Sequence, residues 1–116
     1  LVFSAGTKPV KEVSPLAVKV MSELNIDISS HYPKNVNDFI NSSFDYVITV
    51  CDNAKESCPI FNGAVKNKIH IGFEDPYEAT GSDEEILFVY RKVRDQIKNE
   101  LNKFYLENIR SYYVTN

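Results

Sequence analysis

Phe44-Asp45-Tyr46-Val47-Ile48-Thr49-Val50-Cys51-Asp52-Asn53-Ala54-Lys55-Glu56-Ser57-Cys58-Pro59-Ile60 is the stretch on which the reading of this chain turns. Tyr46 to Val50 is a short apolar, β-branched run, the pattern of a strand buried on both faces of a parallel sheet. It runs into Cys51, and a polar segment then leads to Cys58 and Pro59. In open α/β sheets, ligands and chemistry gather beyond the carboxyl ends of the strands. Cys51 stands at such an end, and Cys58 is the only other thiol in the sequence.

Working outward toward the amino end, Leu1-Val2-Phe3 followed by Ser4-Ala5-Gly6-Thr7 predicts a strand entering a glycine turn. Ser14-Pro15 predicts a helix start, with serine as N-cap and proline at the first helical position. Leu16, Val20 and Leu24 recur four apart, with Ala17 and Met21 beside them, and Asn25 ends that helix. Val36 to Ile40 predicts a short helix with Phe39 and Ile40 turned inward. Toward the carboxyl end, Lys68 to Phe73 alternates as a further strand and ends at Glu74-Asp75-Pro76. Pro76 stops strand pairing, which leaves two carboxylates at a second strand's carboxyl end. Asp83 or Ser82 caps a last, long helix whose Ile86, Tyr90, Val93, Ile97, Leu101 and Phe104 form one apolar face. Arg91, Lys92, Arg94 and Asp95 are expected outside that face. Residues 111–116 carry no usable pattern.

This alternation predicts an α/β fold, one domain over residues 1–116, with right-handed crossovers. Three short strands make a thin sheet, and a chain of this type ordinarily has a further strand at its centre. With 116 residues there is room for one core. A net charge of −3 without a basic stripe argues against a nucleic-acid partner. No apolar run approaches the roughly 20 residues of a membrane-spanning helix, so no membrane is expected. Two cysteines do not make a secreted disulfide framework, which points to a reducing cytoplasm. His31 and His70 stand alone, without C-x2-C or H-x3-H spacing, so they read as structural and no metal or cofactor is expected. Taken without context, either cysteine could be a small buried hydrophobe, and Glu74-Asp75-Pro76 a solvated turn.

The residues Asp45 to Cys51, with Cys58-Pro59 after a six-residue gap, resemble the redox loop of thioredoxin-coupled arsenate reductases. These are relatives of the low-molecular-weight protein tyrosine phosphatases. The resemblance extends to Phe3-Ser4-Ala5-Gly6-Thr7, to Asn25-Ile26-Asp27-Ile28-Ser29-Ser30-His31, to His70-Ile71-Gly72-Phe73-Glu74-Asp75-Pro76 and to Val93-Arg94-Asp95-Gln96-Ile97. It implies a three-layer sandwich around a parallel sheet. It also implies a relay in which a loop cysteine attacks arsenate, the residue at Cys51 attacks that cysteine and releases arsenite, and Cys58 attacks Cys51. Thioredoxin would then reduce the Cys51–Cys58 bridge, and Asp75 would be the general acid.

The family opens with a central strand and a C-x5-R loop that carries the first nucleophile. Six residues after Cys51 stands Ser57, and six after Cys58 stands Ala64, so neither cysteine begins such a loop here. The expectation is therefore a chain that is incomplete at its amino end and inactive alone. Two alternatives accompany the reductase reading. One is a phosphatase-like hydrolase, suggested by Asp75-Pro76-Tyr77; the other is a non-catalytic piece that keeps a redox-active dithiol. Removing a central strand would expose strand edges, so the isolated chain is expected to pair those edges with a second copy as a homodimer, to swap elements, or to be unstable.

Overall fold

A computed structural model describes residues 1–6, 10–51 and 61–110. The chain divides into two compact units, Leu1–Glu74 and Asp75–Asn116.

The first unit begins without a strand. The expectation for Leu1 to Phe3 is corrected: an extended segment becomes a strand only when its backbone groups find a neighbour, and among the described residues of this segment only Gly6 forms a bridge. Its N–H donates to the Lys34 carbonyl at 2.9 Å, and its carbonyl accepts from the Val36 N–H at 2.9 Å. This is an isolated parallel bridge between Gly6 and Asn35. Phe3 is held instead by ring contacts with Phe39 and Phe44, at centroid distances of 5.5 and 6.1 Å.

Helix α1, Pro15–Ser22, starts at Ser14-Pro15 as the sequence predicts. It closes with Asn25 at φ 61°, in the left-handed region that asparagine tolerates better than most residues. The Asn25 N–H donates to the Ser22 carbonyl and the Ile26 N–H to the Met21 carbonyl, the paired bonds of a Schellman ending. Val20, 2% exposed, is the buried residue of this helix. Asp27 then accepts from the Ser29 N–H at 2.8 Å, and hydrogen bonding from Ser29 holds its carboxyl below the ordinary range. Val36–Phe39 forms a single 3-10 turn, capped by the Asn35 side chain accepting from the Asn37 N–H. Phe39 is half-buried but Ile40 is exposed, so only one of the two residues expected inward is so.

Strands β1, Ser43–Thr49, and β2, Ala64–His70, pair in parallel, with Phe44 opposite Val65, Ile48 opposite Ile69 and Thr49 opposite His70. The sheet among the described residues has these two strands. β2 starts four residues earlier than the Lys68–Phe73 reading and ends three earlier. Lys66-Asn67-Lys68 hides the alternation in sequence, and the partner strand supplies the hydrogen bonds that make this a strand regardless. β1 was expected buried on both faces, but its residues are at most half-buried. A two-stranded ribbon covers too little of either face to bury a strand completely. Parallel neighbours also require the chain to travel back from one end of the sheet to the other. The cysteine-bearing segment is therefore the crossover between β1 and β2.

In the second unit, Pro76–Glu78 is a 3-10 turn and helix α2 spans Asp83–Phe104, continuing as a π-helical turn over Tyr105–Arg110. Ser82 is the cap: its side chain accepts from the Glu85 N–H, and Glu85 accepts from the Ser82 N–H, both at 3.2 Å. This is a reciprocal capping box with three acidic residues in the first turn. Ser82→Ala is expected to cost about 1 kcal/mol, read as a lower midpoint in thermal unfolding followed by circular dichroism. The apolar face is real but narrower than the sequence suggests: Tyr90 and Val93 are buried, whereas Ile97 is exposed. Arg94, expected outside, has a side chain only 12% exposed, with its Nε donating to Asp95 at 2.9 Å. A long aliphatic stem can lie along the apolar stripe while its head stays paired. No described helix is long and apolar enough to cross a membrane.

Candidate functional site

The site begins where β1 ends. Beyond Thr49 and His70 the two strands keep bonding, but the ladder slips. The Ile71 N–H donates to the Thr49 carbonyl at 2.9 Å, and the Phe73 N–H donates to the Val50 carbonyl at 3.1 Å. A regular parallel ladder advances two residues on both strands between such bonds. Here the β2 side advances two and the β1 side one, a bulge-like offset of the kind that re-aims side chains at sheet rims. Gly72 lies in the offset. A Cβ there would sit 3.0 Å from the His70 Nε2 and 3.2 Å from the Cys51 carbonyl oxygen. A side chain at this position would need one of them to yield.

Cys51 is half-buried at this end and is disulfide-bonded. Cys58 is the only other cysteine in the sequence, and it lies outside the described residues, as do Ser57 and Pro59. The chain is anchored again as it enters β2. Phe61 meets Phe44 edge-on at a centroid distance of 5.8 Å, and its carbonyl accepts from Lys68 Nζ at 3.0 Å. The crossover is thus tied to the carboxyl end of β1 through Cys51 and to the start of the sheet through Phe61.

Thr49 and His70, opposite one another in register, are joined by a 2.8 Å hydrogen bond between Oγ1 and Nδ1. His70 was read as structural, and this pairing was not foreseen. Only the register, once the two strands are aligned in parallel, brings positions 21 residues apart side by side.

Asp75 is an exposed residue at the head of the second unit. Its Oδ1 accepts from the Tyr77 N–H at 3.0 Å, so Pro76 and this bond fix the direction in which the carboxylate points. The neighbouring Glu74 is half-buried, and Tyr77 is 75% exposed. Asp75 lies several residues past the end of β2, not directly at it as the sequence suggested, because the strand stops at His70. Among the described residues no group of three or more histidine, cysteine, aspartate or glutamate side chains is arranged to hold a metal ion. Tyr112 and Tyr113 lie outside the described residues.

A family model described as "Low molecular weight phosphotyrosine protein phosphatase" matches residues 1–112. Over 103 residues the chain is 39% identical to a protein named arsenate reductase from Halalkalibacterium halodurans, covering 89% of this chain and 73% of that one. The arsenate reductase of Bacillus subtilis is equally similar, at 39% over 103 residues and the same coverage. Arsenate reductase 1 of Staphylococcus saprophyticus is 39% identical over 105 residues, covering 90% of this chain and 74% of that one. The parallel strand pair, the crossover rooted at Cys51 and the Asp75-Pro76 turn lie within this match. The chain belongs to the low molecular weight phosphotyrosine protein phosphatase family and is similar within it to proteins named arsenate reductase.

Proposed function

We propose that the chain supplies the resolving thiols and the general acid of an arsenate reductase acting in a reducing cytoplasm. Arsenate is the oxyanion substrate, in keeping with the names of its relatives. A cysteine on the family's C-x5-R loop attacks arsenate, and Asp75 protonates the departing oxygen. The Cys51 thiolate attacks that cysteine's sulfur, the sulfur–arsenic bond breaks, and its electron pair leaves with arsenic as arsenite. The two electrons come from two thiols joined as a disulfide. Cys58 then displaces the first cysteine from Cys51, and thioredoxin reduces the Cys51–Cys58 bridge by the same exchange chemistry.

The observation that carries this reading is Cys51 itself. It stands half-buried at a strand's carboxyl end, already disulfide-bonded, in a chain whose only other thiol is on the same crossover. Hydrolysis is redox-neutral and its chemistry does not require a resolving thiol pair. The competing reading, a phosphatase-like hydrolase, is favoured by the matched family's description and by the exposed Tyr77 beside the Asp75-Pro76 turn.

The test is peptide mapping of the fully reduced chain after diamide treatment, followed by thioredoxin, its reductase and NADPH. An intramolecular Cys51–Cys58 peptide that consumes one NADPH per bridge is expected. Intermolecular disulfides alone, or a bridge that thioredoxin leaves intact, would sink the relay.

The same strand also bears on assembly. Among the described residues β1 pairs with β2 alone, and a strand edge is a template for another strand. A homodimer through this edge is expected, visible as a concentration-dependent species in sedimentation velocity. A monomer across the whole concentration range would contradict it.

A further inference from the structure

We propose that Asn62 is a site of intramolecular deamidation, at which the Gly63 backbone nitrogen displaces the side-chain amide as ammonia and leaves a mixture of aspartate and isoaspartate. The reaction needs only water and uses neither cysteine, so it stands apart from the relay.

Among the glycines only Gly63 follows an asparagine, and the fold dictates that glycine. A Cβ at this position would fall 2.5 Å from the Phe61 ring and 2.9 Å from the Ile40 carbonyl oxygen. Asn62 is thus committed to a neighbour that has no side chain to shield its own nitrogen. Asn62 is exposed, so its amide is open to solvent. The Gly63 N–H is not taken up by the sheet either. The ladder begins with Ala64 opposite Ser43, and among the described residues no backbone carbonyl accepts from the Gly63 N–H. Asn67 is the contrast: it lies within β2, Lys68 follows it, and its Nδ2 donates to the Asp45 carbonyl at 3.3 Å.

Solvent base removes the Gly63 amide proton, and the nitrogen attacks Asn62 Cγ. The new N–Cγ bond closes a cyclic imide as the Cγ–Nδ2 bond breaks, and Nδ2 leaves as ammonia after taking a proton from water. Water then adds to either carbonyl of the imide. Breaking the N–Cγ bond gives aspartate. Breaking the bond from that nitrogen to the Asn62 backbone carbonyl carbon gives isoaspartate, whose main chain runs through Cγ. No atom is oxidised or reduced.

The product matters because both flanks are held. Phe61 is fixed by its ring on Phe44 at 5.8 Å and by its carbonyl, which accepts from Lys68 Nζ at 3.0 Å. Ala64 is fixed by its place in the ladder. Isoaspartate inserts a backbone carbon between them, where Gly63 already crowds the Ile40 carbonyl, so the Phe61 anchor gives way. Deamidation is then a slow release of the end of the cysteine crossover that enters β2.

The experiment incubates the full folded chain in mildly alkaline buffer made with heavy-oxygen water and maps its peptides by mass spectrometry. Asn62 should convert about tenfold faster than Asn67, gaining heavy oxygen and yielding both acids. Asn62→Gln should keep its amide over the same time. Equal rates at Asn62 and Asn67, or aspartate without isoaspartate, would overturn the proposal. The isoaspartate form, separated by ion exchange, should unfold at a lower urea concentration than Asn62→Asp, which carries the same charge on an ordinary backbone. Matching midpoints for the two would overturn the release of the anchor.

Discussion

Supplied with thioredoxin, thioredoxin reductase and NADPH, the 116 residues alone are expected to reduce no arsenate above background. The relay needs a first nucleophile set in a loop whose backbone N–H groups and arginine cradle the oxyanion, because a tetrahedral anion is bound by converging donors. Such a loop begins with cysteine and ends with arginine six residues on, and neither Cys51 nor Cys58 has that arginine. Cys51 is also half-buried and committed to a disulfide, which suits a thiol that resolves better than one that receives substrate. Joining a segment with a C-x5-R loop ahead of Leu1 should bring turnover up from zero, and Cys51→Ser in that longer protein should abolish it. NADPH consumption and arsenite formation would be followed together. Arsenate-dependent turnover by the 116 residues alone, lost on Cys51→Ser, would show instead that Cys51 attacks the oxyanion directly.

A second large effect is expected at Gly63, where the crossover delivers the chain into β2. A Cβ at this position would lie 2.5 Å from the Phe61 ring and 2.9 Å from the Ile40 carbonyl oxygen. The ring could swing aside, but it packs on Phe44 at 5.8 Å, within a chain of contacts that includes Phe39 and Phe3. The Ile40 oxygen is backbone and moves only with the segment that enters β1. Forcing a side chain into such a site typically costs 1–3 kcal/mol, so Gly63→Val should destabilise the chain by roughly 3 kcal/mol. That is a large part of the 5–15 kcal/mol typical of a whole domain. Urea unfolding monitored by circular dichroism measures it. A midpoint within error of the parent's would show that the Phe61 anchor yields freely.

What the sequence determined by itself is local. Ser14-Pro15 and Asn25 bound the first helix because caps and left-handed residues act within one turn. Ser82 with Glu85 starts the last helix for the same reason, and the apolar period over Tyr90 and Val93 places its buried stripe. Val47 to Thr49 reads as strand from β-branched composition, and the cysteine spacing and Asp75-Pro76 stand out without coordinates. The tertiary structure alone decided the rest, since it depends on which backbone groups find partners. Leu1 to Phe3 has strand composition but no ladder, while Lys66-Asn67-Lys68 lacks strand composition and is strand because β1 bonds it. Arg94 reads as surface and is mostly covered, because a long stem packs where its charge does not. The Thr49–His70 bond, the offset at Gly72 and the Phe61 anchor join residues far apart in sequence. They follow from a parallel register, which no window of neighbouring residues encodes.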